Sequence, residues 1–218
     1  MTPFRILEAG RADSSIPGCD GSARTMHGTD RQGDRVAAGT PRFGWTNTIP
    51  SRELTTVGGE TIRVPDDAAL VHLQFRRYAV CPVCNLHLRT FAHRYGEIVR
   101  AGIIEIAVFH SPADDLRGHD LPFALVADPA RALYREFEVG KSIRSVLDPR
   151  AWGAMLRGIA AFGVRLPRLG ESTLGLPADF LIAPSGALID HKYGSYADDQ
   201  WSVDDLLNKV EGTNDATW

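Results

Sequence analysis

The 218-residue chain has no apolar run long enough to span a bilayer, no excess of either charge, no internal repeat and only 3 cysteines. Each absence closes off a class of function. A membrane-spanning helix needs roughly 20 consecutive apolar residues, and the longest apolar stretches here are strand-sized. Lys and Arg number 24 against 27 Asp and Glu, a formal charge of -3, so there is no basic footprint for a phosphate backbone. So few cysteines cannot build the disulfide framework of a small secreted domain, and without a second Cys-x-x-Cys pair they cannot make a four-thiolate zinc site. Near the amino terminus, Arg5 and Glu8 interrupt the apolar core that a secretory signal requires. Together these absences predict a soluble, cytoplasmic protein with neither nucleic acid nor membrane as partner.

What is present supports one good core, since 44% of the residues are hydrophobic and 23% charged. Residues 1–50 are rich in Gly, Arg, Asp, Ser and Thr, lack periodicity and predict a flexible leader. Cys19 lies there in a turn context, Pro17-Gly18-Cys19-Asp20-Gly21, as an exposed incidental thiol or a third redox partner. Order is expected from Ser51 to Glu211. Leu54–Val57 and Glu60–Val64, joined at Gly58-Gly59, read as an N-terminal β-hairpin. Ala68–Phe75 is nearly all apolar, as a central strand covered on both faces would be. One helix is expected after Cys81, with Leu88, Phe91, Ala92, Tyr95, Ile98 and Val99 on its apolar stripe and its end at Gly102. The strand Ile103–Phe109 then completes a parallel crossover.

Further along, the pattern predicts a short helix at Pro112–Leu116, a strand at Phe123–Val126 and a helix from Pro129 to Phe137 capped by Asp128. A helical insertion at about 141–175 contains a segment capped by Asp148 and running to Phe162. Its apolar stripe, Trp152, Met155, Leu156 and Ile159, is expected to pack as core or lid, or to shape an apolar pocket. A hairpin of Asp179–Ala183 and Ala187–His191 follows, then a last helix capped by Ser202 with Asp205, and a frayed tail at 212–218. The order βαβ, hairpin, helix predicts an α/β thioredoxin-like fold with a central mixed β-sheet flanked by helices.

The chemistry concentrates at Cys81-Pro82-Val83-Cys84. Pro82 suits the first helical position, where its missing N–H costs nothing, so Cys81 falls at the N-cap facing unpaired N–H groups. That end of the helix dipole, with Arg76 or Arg77 nearby, predicts a Cys81 thiol more acidic than the ~8.5 of free cysteine. Cys84, one turn on and more buried, is placed to close a disulfide with Cys81, which makes Cys81 the nucleophile and Cys84 the resolving thiol. Two other readings of the pair stand beside this one. His87 extends it to Cys-x-x-Cys-x-x-His, half of a zinc site or structural binding module, and the pair can also be packed and inert. His110, at the carboxyl end of a strand, is either a base near Cys81 or a structural residue.

Cys81-Pro82-Val83-Cys84, Phe109-His110-Ser111, Ala127-Asp128-Pro129 with Leu133-Tyr134, and Gly175-Leu176-Pro177-Ala178-Asp179-Phe180-Leu181-Ile182 resemble the peroxiredoxin-like branch of the alkyl hydroperoxide reductase/thiol-specific antioxidant family. The resemblance spans roughly Leu54 to Val210. It implies a thioredoxin-like fold and thiol-based reduction of peroxides or disulfides, with Cys81 as peroxidatic cysteine. Pro177 then matches the cis-proline that thioredoxin-fold proteins hold opposite the cysteine, or it simply opens a strand. Typical members carry a proline seven residues and a threonine or serine three residues before that cysteine, and an arginine where Pro177 stands. Gln74 and Tyr78 occupy the two upstream places, which leaves Tyr78, Arg76 or Arg77 to polarise a peroxide.

The expected function is a thiol-dependent oxidoreductase with no cofactor beyond a Cys81–Cys84 disulfide. Its substrate is a peroxide or a disulfide, and an external thioredoxin-like or glutathione system re-reduces it. The alternatives are a disulfide oxidoreductase without peroxidase activity and a zinc-bound or structural module.

Overall fold

A computed structural model of the chain describes residues 48–142, 147–163 and 171–214. Cys19 and nearly all of the expected leader lie outside them, as do parts of the expected insertion and residues 215–218 of the expected tail. Ordered structure begins ahead of Ser51: Thr48 pairs with Ala187, and the buried Ile49 donates its N–H to the Gly186 carbonyl at 2.7 Å.

The centre is a five-stranded mixed sheet in the order β5-β4-β3-β6-β7, built from β3 (Leu70–Phe75), β4 (Ile103–Phe109), β5 (Ala124–Ala127), β6 (Ala178–Ile182) and β7 (Leu188–Tyr193). Strand β3 runs parallel to β4 and antiparallel to β6, so the crossover and the terminal hairpin fall where the sequence places them. The N-terminal hairpin, β1 (Arg52–Thr55) with β2 (Thr61–Val64), pairs antiparallel in the register Thr55↔Thr61. Its turn is tied to the sheet edge by Val57 N–H to Leu125 O at 2.8 Å.

Alternation along the strands splits the sheet into two faces. Val71, Leu73 and Phe75 join Ile106, Val108, Phe180 and Ile182 in one apolar core with the hairpin and the aromatic rings of Tyr134 and Phe137. The opposite face carries α1 (Pro82–His93), α2 (Tyr95–Arg100) and α6 (Val203–Asn214), through Leu88, Phe91, Ile98, Trp201 and Leu206.

Three expectations about helices need correction. The helix expected from Cys81 to Gly102 is two, broken at Arg94, whose φ of -105° and ψ of 14° leave the helical region while Glu97 and Asp204 hold its guanidinium. The helix expected at Pro129 starts later, as α4 (Ala132–Glu136), because the Asp128 carboxylate accepts from the N–H groups of Ala132, Leu133 and Tyr134 across an intervening turn. The helix α5 (Pro149–Phe162) is capped by Asp148 as expected, but only half of the expected stripe faces inward: Met155 packs against the cysteine cluster and Ile159 is half-buried, whereas Trp152 and Leu156 are not covered. Ala151, Ala154 and Gly158 are its buried residues, while Trp152 and Leu156 are 57% and 69% exposed. The large side chains dominate the sequence pattern, but the close approach to Pro82 admits only a glycine there. A short α3 (Ala113–Leu116) completes the set, and Ser202 and Asp205 form the expected capping box on α6.

Candidate active site

Strand β3 ends at Phe75, and the chain then runs extended through Arg76, Arg77 and Tyr78 into a turn closed by Cys81 N–H to Tyr78 O at 3.0 Å. That turn delivers Cys81 to the N-cap of α1 with Pro82 in its first turn. The Cys84 N–H donates to Cys81 Sγ at 3.4 Å, and the Cys84 thiol lies 2.8 Å from the same sulfur. No disulfide joins the two cysteines, and their exposures are 0% and 1%. Tyr78, Val83, Ala151, Ala154 and Ala197 pack around them.

Burial works against ionisation of Cys81. The Cys84 thiol, the Arg77 charge, the Cys84 N–H and a hydrogen bond from Arg77 outweigh it and bring the Cys81 thiol down to about 6. Cys84 goes the other way: burial, the hydrogen bond it donates and the neighbouring thiolate hold it well above its ordinary value. A proton shared across 2.8 Å thus sits on Cys84, leaving Cys81 as the anion at neutral pH. The Arg77 guanidinium also lies 5.4 Å from the Tyr78 ring centroid. Burial first, then the adjacent Cys81 charge, raise the Tyr78 hydroxyl to about 12, so it stays protonated.

The other expected site residues divide. Arg77 reaches the sulfurs; Arg76 does not. Consecutive residues of an extended chain point to opposite faces, and Arg76 enters the sheet–α1 interface. There its Nη2 donates to Asp179 Oδ1 at 2.7 Å and lies 3.0 Å from His87 Nε2, while Nε donates to Gln74 Oε1 at 2.6 Å. His87 is therefore committed to Arg76 rather than to the thiols. Among the described residues no group of three or more His, Cys, Asp or Glu side chains is placed to hold a metal ion.

Pro82 lies buried under α5. The Leu176–Pro177 bond is not cis, contrary to the match with the family's cis-proline. The segment leading into β6 is held by Leu176 N–H to Gly140 O at 3.2 Å and Gly194 N–H to Pro177 O at 2.9 Å. His110 is packed against Tyr78 and Tyr134, with ring centroids 6.5 and 5.7 Å away. Burial first, and then the charge of Arg131, lower its pKa to about 4, so it is neutral and too weak a base to draw a proton from Cys81.

The sequence reading missed a buried polar network behind the site. His72 Nδ1 is 2.8 Å from Glu105 Oε2 and its Nε2 is 3.4 Å from Asp179 Oδ1, Gln74 donates to Glu105, and the Trp201 N–H donates to Asp179 Oδ2 at 3.1 Å. All of these side chains except that of Trp201 are fully buried polar groups of the central strands. Despite burial, the two carboxylates raise His72 to about 9, and Arg76 and His72 hold Asp179 far below the ordinary carboxylate range against burial's opposite pull. A signal existed, because His72, Gln74 and Arg76 alternate with Val71, Leu73 and Phe75 in a strand read as simply apolar.

With this geometry in hand, comparisons with known proteins are specific about family and fold. The sequence profile of the AhpC/TSA family matches residues 46–191. No curated protein sequence matches the chain. Among solved structures, peroxidoxin BcpB from Mycobacterium tuberculosis superposes with a TM-score of 0.52 at 17% identity, covering 76% of this chain and 94% of that one. A cysteine-to-serine mutant of peroxiredoxin 6 from Arenicola marina gives 0.56 at 15% identity, over 77% of this chain and 71% of that one. Peroxiredoxin Q from Xanthomonas campestris gives 0.51 at 17%, over 74% and 90%. These likenesses establish the shared α/β fold.

Proposed function

This chain belongs to the AhpC/TSA family of thiol-dependent oxidoreductases, and on that footing we propose that it is a two-cysteine peroxidase acting through Cys81 and Cys84. One observation carries the reading: a buried thiol pair 2.8 Å apart in which environment drives the two acidities in opposite directions. The Cys81 thiolate attacks the terminal oxygen of a hydroperoxide, the O–O bond breaks, and the protonated leaving group departs as an alcohol or as water. Cys81 is then a sulfenic acid. The Cys84 thiol, already pointing at that sulfur, displaces the hydroxyl as water and forms the Cys81–Cys84 disulfide. Two external thiols reduce the disulfide, leave as a disulfide of their own and return the pair to its starting state.

Arg77 supports the first step as the cation beside the nucleophile, and Tyr78 as a hydroxyl that keeps its proton for donation. Arg76 has no part in the chemistry on this reading. A cytoplasmic setting and an external thiol reductant complete the reading. Among the described residues no helix is long and apolar enough to cross a membrane.

The test is stopped-flow oxidation of the anaerobically reduced chain by hydrogen peroxide, with site-resolved mass spectrometry. The expected product is a disulfide joining Cys81 to Cys84. In Cys84→Ser a sulfenic acid at Cys81 should accumulate and be trapped by dimedone. Oxidation no faster than that of a free thiol would remove the peroxidase and leave disulfide exchange as the function of the pair.

A further inference from the structure

Neither cysteine is accessible in the folded chain, at 0% and 1% exposure, and α5 packs over them together with Tyr78 and Ala197. Its buried line, Ala151, Ala154 and Gly158, lies over the start of α1. A methyl group built on Gly158 would stand 2.6 Å from the Pro82 carbonyl oxygen and 2.8 Å from Pro82 Cβ, so any larger residue there forces the two helices apart. The contact is backbone on backbone, directly above the residue that follows the nucleophile. The large side chains of α5, Trp152 and Leu156, point away from it. Met155 packs against the cysteine cluster, so the seam of methyl groups and a glycine is tight and backed by one long side chain.

We propose that α5 is a fitted cover that sorts the reactants of the Cys81/Cys84 pair by size, with Gly158 setting how closely it closes. The inference rests on the dithiol reading above. A hydroperoxide needs only a slit of atomic width to reach Sγ. A low-molecular-weight thiol that reduces the Cys81–Cys84 disulfide needs little more. A protein thiol must bring its own backbone in line with the S–S bond, into the volume that Ala151, Ala154 and Gly158 fill. The physiological reductant is therefore a small thiol. Two of its molecules donate the two electrons and two protons that restore both thiols, and they leave as one disulfide.

Two measurements on the full chain test this, each followed at Cys81 by site-resolved mass spectrometry so that Cys19 does not interfere. In the first, the reduced chain is alkylated with iodoacetamide and with a maleimide carrying a long poly(ethylene glycol) chain, and the ratio of the rates is compared with that of the urea-unfolded chain. Folding should increase the preference for the small reagent by about tenfold or more, since reactivity follows access. In the second, the oxidised chain is reduced by glutathione and by reduced thioredoxin at equal thiol concentration, and glutathione should be the faster.

Gly158→Val should raise the rates with the bulky maleimide and with thioredoxin about tenfold, while the iodoacetamide rate moves by less than about threefold. Gly153→Ala, on the same helix with only the Arg157 guanidinium within 3.4 Å, should change nothing. A folded wild-type chain with the same rate ratio as the unfolded one overturns the cover, and so does thioredoxin matching glutathione or a Gly158→Val chain that behaves as wild type. If that variant does not fold, the wild-type ratios decide. The alkylation result does not depend on peroxide chemistry, so a chain that excludes the bulky reagent yet never forms the disulfide with peroxide refutes the function and not the cover.

Discussion

Replacing Arg77 by Met separates the charge that activates Cys81 from the packing around it. Met keeps most of the volume of a side chain that is 1% exposed and removes the guanidinium, so the pocket stays filled. The Cys81 thiol is brought from 9.0 to about 6, a preference for the thiolate of about 4 kcal/mol. Burial opposes that preference, and the Cys84 thiol, the Arg77 charge, the Cys84 N–H and the Arg77 hydrogen bond together supply it. If the two Arg77 contributions make up roughly half of that drop, Arg77→Met moves the midpoint to about 7.5 and lowers the thiolate fraction at pH 7 about fourfold. The rate at pH 7 barely changes. A more basic thiolate is a better nucleophile, and a Brønsted coefficient of about 0.4–0.5 offsets the loss. The informative quantity is thus the midpoint and not the neutral-pH rate. It is read from thiolate absorbance near 240 nm and from iodoacetamide rates between about pH 4 and 10 in a Cys19→Ser background. Arg77→Lys should move it less than Arg77→Met. A midpoint within about half a pH unit of wild type in Arg77→Met would refute the assignment of Arg77 as the activating cation.

The buried network makes three further predictions. His72 is held at about 9 against 6.5 when unfolded, so its charge stabilises the folded state fully below about 6.5, and about 3 kcal/mol is lost as pH rises through about 9. Cys81, depressed to about 6, contributes the opposite slope over the same range, so urea midpoints at low and high pH are best compared in Cys81→Ser, and His72→Gln should flatten the decline. Asp179→Asn leaves Arg76 and His72 buried without their shared carboxylate and should cost about 3–5 kcal/mol in chemical denaturation; a loss below about 1 kcal/mol would contradict a buried ion-pair role. Tyr134→Phe removes a hydroxyl that donates to the carbonyls of Arg76 and Val108. It should cost about 1–2 kcal/mol and leave the Cys81 midpoint unchanged.

Local signals carried most of the fold. The strand Ile103–Phe109, the crossover it completes, the terminal hairpin and the Ser202 cap are set by runs and caps that short segments contain in full. Cys81 at the N-cap was legible for the same reason, because Pro82 fixes the helix start wherever the chain folds. What was not legible depended on partners distant in sequence. Whether Arg76 or Arg77 faces the thiols is decided by the strand register, which only the pairing of β3 with β4 and β6 sets. On α5, Trp152 and Leu156 were misread as covered because large apolar side chains outweigh alanines and a glycine in any apolar pattern. The inward side was chosen by close approach to Pro82, a tertiary constraint with no hydrophobic signature. At Leu176–Pro177 the bond is the ordinary trans isomer, and the expectation of a cis bond came from the family resemblance and not from the dipeptide.

The consecutive arginines show how the site and its support divide the work. Arg76 and protonated His72 supply two positive charges, Glu105 and Asp179 two negative ones, so the network is formally neutral although every member is buried. Neutrality and direct pairing are what make such a cluster tolerable in a core. Its mechanical effect is local. With Arg76 held through Asp179, Gln74 and His87, and its carbonyl taken by Tyr134, the backbone at the end of β3 has little freedom to rotate. Arg77 is the next residue, and its placement over Cys81 follows from that anchoring, since pleating sends it to the face opposite Arg76. An arginine positioned by its own contacts alone would lose rotamer freedom each time it met the thiolate. Here that cost is met during folding, by groups that never touch the sulfur, so the charge is already in place when Cys81 ionises.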